Sequence, residues 1–131
     1  MRLTTNFWLE EFQCKDGSEM PKPVFRKIEI LAKQLQVIRD VLNVPMTLTN
    51  AYRSPSHNKA VGGVKSSQHL LGTACDIQVN GKSSQEVYDT IEGLIKEGKI
   101  KQGGLGLYHN FVHYDIRGYR ARWDFVNKNK G

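Results

Sequence analysis

The sequence predicts an α+β domain: a small, largely antiparallel sheet with flanking helices. Three observations carry that expectation. A long apolar stripe at helical spacing lies in the first third of the chain, and a shorter one follows in the second half. Short strand-like runs stand between and after them, with no strict β-α-β repeat. At 131 residues the chain makes one domain, residues 1–131, with a single core and no linker, internal repeat or low-complexity stretch.

In chain order, Val24, Ile28, Leu31, Leu35, Ile38 and Leu42 recur in alternating steps of four and three, which is one face of a helix. Pro21 and Pro23 precede it and Pro45 follows, so the helix is expected over about residues 23–42. Residues 46–49 read as a short strand. Residues 51–68 are polar, contain Pro55 and the pair Gly62-Gly63, and read as a long irregular connection, which in a compact domain is usually functional or disordered. A second strand is expected over 74–79 and a second helix over 84–97, with Ser84 as candidate N-cap and Val87, Ile91, Leu94 and Ile95 facing inward. Residues 104–108 and 111–116 read as two strands joined by a tight turn at His109-Asn110. Alternation then puts Phe111, His113 and Asp115 on one face and Val112, Tyr114 and Ile116 on the other.

The formal charge is +6, from 19 Lys and Arg against 13 Asp and Glu, and favours anionic surroundings such as nucleic acid, anionic lipid or an anionic wall polymer. The basic residues are scattered, apart from the stretch 96–101 and Lys128 and Lys130, so no nucleic-acid partner is expected. No apolar run reaches the roughly 18–20 residues of a membrane span, and Met1 to Asn6 carry no signal-type apolar stretch, so export by the usual route is not expected. Cys14 and Cys75 are too few for a disulfide framework and are expected as free thiols. In a strand, Cys75 would face away from Asp76, towards packing.

The chemistry-bearing residues fall in short segments. His69 and Asp76 stand seven residues apart across Gly72, and His113 lies in the last strand-like run. Two imidazoles and one carboxylate suit a catalytic zinc ion that keeps a coordination position for water. Arg53, sixteen residues before His69, is the natural partner for a substrate carboxylate or an oxyanion. Ser67 would either hydrogen-bond substrate or brace the local turn. Hydrolysis needs a proton acceptor, for which Asp115 and His109 are the candidates; Asp115 could instead orient a ligand histidine through its other ring nitrogen. His57, in the polar stretch, is the least favoured histidine.

Tyr52-Arg53-Ser54-Pro55, Asn58, Val61-Gly62-Gly63, Ser67-x-His69-x-x-Gly72-x-Ala74-x-Asp76 and Phe111-Val112-His113-x-Asp115-x-Arg117-Gly118 together resemble the zinc D-Ala-D-Ala carboxypeptidases and related phage endolysin peptidases. The likeness runs from about Phe7 to Trp123. It implies zinc bound by His69, Asp76 and His113, substrate contact by Arg53, a fold like that of the hedgehog signalling domain, and cleavage of a peptide bond in the peptidoglycan stem or cross-link by a monomer. Many relatives carry Glu or Asp three residues before the last ligand, or His two before it; here Asn110 and Phe111 stand there. That departure leaves open a zinc-containing wall-binding or structural module without catalysis; a third, weaker class is a basic nucleic-acid-binding protein, which would need neither the metal nor the Arg53 loop. The setting expected for the enzyme is the bacterial cytoplasm during phage infection, or a virion.

Overall fold

The computed structural model describes residues 1–127. The expectation of a basic pair at Lys128 and Lys130 falls outside them. The first helix, α1, spans Lys22–Leu42, and its predicted stripe is the face that is buried: Ile28, Leu31, Leu35 and Ile38 are shut off from solvent. Asn43 ends it in the left-handed conformation, its N–H returning to the Arg39 carbonyl.

Strand β1 (Met46–Asn50) follows, then the helix α2 (Pro55–Ala60), strand β2 (Ala74–Val79), helix α3 (Ser84–Lys96) and strands β3 (Gly104–Leu107), β4 (Val112–Asp115) and β5 (Ala121–Asp124). The five strands form one sheet in the order β1-β2-β4-β3-β5, antiparallel except where β5 runs parallel to β3. Among the described residues the predicted α+β class, with a largely antiparallel sheet and flanking helices, holds. Ile77, Leu105, Val112 and Tyr114 form the sheet's side of the core, against α1, α3 and the N-terminal residues Phe7 and Phe12.

Three expectations are corrected. The polar stretch after β1 is not irregular throughout: Ser54 caps α2 by accepting from the His57 N–H, and a short 3-10 helix, Gln68–Leu71, closes it. The cap of α3 is Ser83 rather than Ser84, in a reciprocal box with Glu86; the Ser84 hydroxyl instead donates to the His109 carbonyl at 3.2 Å. Strand β5 has no counterpart in the sequence reading, because four half-buried residues between turns give no periodic signal. Cys14 and Cys75 are both free and buried, as expected.

Candidate metal centre

The site is a single row of residues running across the sheet. Asn50 on β1 stands opposite Asp76 on β2, Asp76 opposite His113 on β4, His113 opposite Gly106 on β3, and Gly106 opposite Trp123 on β5. Because residues in register share a face, four strands deliver side chains to one line, and β3 contributes Gly106, which leaves room for the Trp123 indole. A bulge between Leu48 and Asn50 adjusts β1 so that Asn50 falls beside Asp76.

His69 comes from outside the sheet. Ser67 caps the 3-10 helix by accepting from the His69 N–H at 3.2 Å, and Gly72 ends it at φ 74°, from which the chain turns directly into β2 and Asp76. Glycine is required twice over at that corner: the positive φ disfavours a side chain, and a Cβ would come within 2.7 Å of the Val24 side chain. The Arg53 N–H donates to the His69 carbonyl at 3.0 Å, and the His69 Nδ1 lies 2.7 Å from the Ala51 carbonyl. The stretch carrying Arg53 is thereby fastened to the ligand histidine.

His69, Asp76 and His113 are all buried, and each offers a ligand atom within 4.8 Å of the other two. Their hydrogen bonds fix which atoms those are. The Ala51 carbonyl can only accept, so His69 carries its proton on Nδ1 and turns the Nε2 lone pair towards Asp76 Oδ1, 3.4 Å away. His113 Nε2 lies 2.7 Å from Asp115 Oδ2, which leaves Nδ1 facing Asp76 Oδ1 at 3.2 Å. Each imidazole thus has one nitrogen tied back and the other aimed at a common point, the arrangement that suits a divalent ion.

Charge is concentrated here. Burial would push the Asp76 carboxyl up, but the facing imidazoles of His113 and His69 outweigh it and hold the group below the usual carboxylate range. Asp115, fully buried, is held low in the same way, against burial, by His113, Arg117 and the Gly104 N–H. Burial disfavours the charged form of His113, yet its hydrogen bonds to the Asp115 and Asp76 carboxylates prevail and raise its pKa.

The cavity over this row has a volume of about 350 Å³ and is bordered by Arg53, Ser67, Tyr108 and Trp123 besides the three ligand candidates. Arg53 is held by neutral groups. Its Nη1 donates to Asn58 Oδ1 at 3.1 Å, and Nη2 and Nε donate to the Asn50 side-chain oxygen when that amide is turned to face them. Among the described residues no carboxylate forms an ion pair with it, so the guanidinium is oriented without being neutralised. A side chain on Gly63 would collide with Asn58 and Arg53, and Gly62 before it has a φ of 74°, which accounts for the pair.

The two other candidates part company. Asp115 lies behind His113, its oxygens taken by Arg117 at 2.8 and 2.7 Å, the Gly104 N–H at 2.8 Å and His113, in the orienting arrangement. His109 is exposed and borders a different, larger cavity of about 630 Å³, shared with Pro45, Val79 and Ser84, which contains none of the ligands. His57 sits with Cys14 and Asp16, where Ser54 ties the N-terminal segment to α2 by donating its N–H to Cys14 Sγ at 3.3 Å and its hydroxyl to Asp16 at 2.9 Å. Sequence reasoning missed Asn50 and Trp123, which enter the site only through sheet register, and Tyr108, which follows β3 and is held there by Phe111 and Trp123.

Residues 5–115 match the family described as Peptidase M15, which spans most of the chain and both ligand segments. The chain belongs to the peptidase M15 family. No curated protein matches it. Members of this family are metal-dependent peptidases, and the converging His69, Asp76 and His113 give this M15 chain a candidate metal group in keeping with that activity.

Proposed function

We propose that this M15 peptidase is a zinc enzyme that hydrolyses a peptide bond in the peptidoglycan stem peptide or cross-link. The observation that carries the reading is the Arg53 guanidinium, fixed by Asn50 and Asn58 but uncompensated, on the rim of the cavity that holds the three ligands. An oriented, unpaired cation beside a metal centre suits a peptide bearing a free carboxylate, which stem peptides ending in D-amino acids supply. Two imidazoles and a carboxylate are a donor set suited to zinc. Zinc held there would polarise the scissile carbonyl and make water nucleophilic near neutral pH.

The chain's own residues do the rest. His69 and His113 present one nitrogen each because Ala51 and Asp115 occupy the other. Arg53 grips the substrate carboxylate with a forked pair of donors, which places the adjacent peptide bond over the row. Trp123, its ring centroid 4.9 Å from that of His113, borders the cavity on that side and gives bound substrate an apolar surface. A basic protein acting on an anionic wall polymer agrees with the charge of +6. The proposed setting is a phage infection, with the monomeric enzyme made in the bacterial cytoplasm or carried on a virion.

Digestion of purified peptidoglycan followed by mass analysis tests the reading. New stem-peptide fragments are expected from the parent protein and not from His113→Ala. Identical digests would exclude hydrolysis by this metal group, and binding to the wall without fragments would favour the non-catalytic wall module.

A further inference from the structure

Peptide hydrolysis at this site raises a question of chemistry: which group meets the negative charge that develops on the scissile carbonyl oxygen? Among the described residues bordering the cavity, His69, Asp76 and His113 are ligand candidates, and Arg117 is committed to Asp115. Arg53 is braced by Asn50 and Asn58 on the substrate-carboxylate side. Ser66, Ser67 and Gln68 also border it: the Ser67 hydroxyl accepts from the His69 N–H and the Gln68 side-chain oxygen from Thr73, and none of the three has a ring whose packing would hold a donor in place.

Tyr108 remains. Its ring is stacked on Phe111, with centroids 4.2 Å apart and planes 14° from parallel, and leans on Phe125 at 5.1 Å. Its oxygen accepts from Trp123 Nε1 at 2.9 Å. Indole is a donor only, so this bond uses a phenol lone pair and leaves the phenolic proton free to be donated. The indole is itself fixed: it occupies the space beside Gly106, where any Cβ would overlap it, and packs against His113. The phenol is therefore immobilised before substrate arrives, beside the ligand row, and among the described residues no acceptor takes its proton.

Resting on the peptidase reading above, we propose that Tyr108 is a catalytic residue whose O–H donates a hydrogen bond to the oxyanion of the tetrahedral intermediate. As water adds, a C–O bond forms and the carbonyl π pair moves onto oxygen, where Tyr108 meets it. When that pair returns, the C–N bond breaks and the amine departs with a proton derived from the water. The second water proton, left on the new carboxyl group, passes to the amine, so the products are a carboxylate and an ammonium ion, and Tyr108 keeps its own proton throughout. Burial, with the nearby Asp76 carboxylate, raises the phenol's pKa despite the opposing pull of Trp123 and Arg53, in keeping with a group that stays protonated. Such a preorganised donor acts on the transition state more than on bound substrate.

The test compares the zinc-loaded parent with Tyr108→Phe, which keeps the ring stacking, and with Trp123→Phe, which keeps the phenol but removes its fixing donor. For Tyr108→Phe a fall in kcat of about 100-fold or more is expected with little change in KM. Affinity for a phosphinic D-Ala-D-Ala analogue, measured by calorimetry, should fall in parallel, while zinc content and melting temperature stay at the parent's values. Trp123→Phe should lose part of the same factor, and the double variant should be no worse than Tyr108→Phe alone. Unchanged kcat and unchanged phosphinate affinity in Tyr108→Phe would overturn the proposal, as would a loss accompanied by loss of zinc. If the parent itself releases no wall fragments, the peptidoglycan reading fails separately, because the phosphinate comparison needs no turnover.

Discussion

His113 Nε2 and Asp115 Oδ2 are 2.7 Å apart, two residues along one strand and on the same face of the sheet. The carboxylate, fully buried and also bonded to Arg117 and the Gly104 N–H, anchors the imidazole so that Nδ1 points at Asp76. This pair turns a strand histidine into a preset ligand, since a ring whose second nitrogen is tied to a carboxylate is fixed in tautomer and more basic.

Asp115→Asn is accordingly expected to weaken metal binding by about 10- to 100-fold, the range typical of such supporting partners. His113→Ala, by contrast, should abolish it. Competition against a chromophoric chelator measures both, and an Asp115→Asn protein with the parent's affinity would refute the orienting role.

Arg53→Ala should raise KM by about 10- to 100-fold, because a charge-assisted hydrogen-bonded contact is worth about 1.5–3 kcal/mol. Arg53→Lys should fall between, since it keeps the charge and loses the fork. Steady-state kinetics on a stem-peptide substrate reads this. A drop in kcat with KM unmoved would mean that Arg53 does not hold the ground-state carboxylate.

Gly106→Ala inserts a methyl group where the Trp123 indole lies. Overpacking of this kind costs about 1–3 kcal/mol, and here it must also displace Trp123 from His113 and Tyr108. Urea unfolding should show the loss, with activity falling alongside. Stability and activity both equal to the parent's would show that β5 is not held over β3 in this way.

Glu92 on α3 pairs with Arg122 on β5, with Nε 2.7 Å from Oε2 and Nη2 2.8 Å from Oε1. The hydrogen bond from Arg122 is the main cause that holds the Glu92 pKa below its ordinary value. A carboxyl depressed in the folded state stabilises the protein fully above its unfolded pKa, about 4.3, and loses that contribution as pH falls through the folded value. Glu92→Gln should therefore cost about 1–2 kcal/mol at pH 7, and the gap to the parent should narrow steadily below about pH 4. Denaturation at several pH values checks it; a gap independent of pH would sink the assignment.

What the chain determined by itself is local. The spacing of Val24 to Leu42 dictated α1, because a helical repeat of apolar residues has one way to hide from water. The segment from Ser67 to Asp76 encoded a cap, a positive-φ glycine and a strand start, which together fix where His69 and Asp76 lie relative to each other. Alternation alone put His113 and Asp115 on one face. Only the tertiary structure decided which strands lie side by side. The register that lines up Asn50, Asp76, His113, Gly106 and Trp123 depends on pairing between distant segments, and no local pattern carries it. For the same reason β5 was invisible and Tyr108 passed unnoticed: four residues without periodicity become a strand only because β3 offers an open edge and a glycine to receive the indole. His109, close to His113 in the chain, faces another cavity, since a tight turn reverses direction and carries its side chain away from the row.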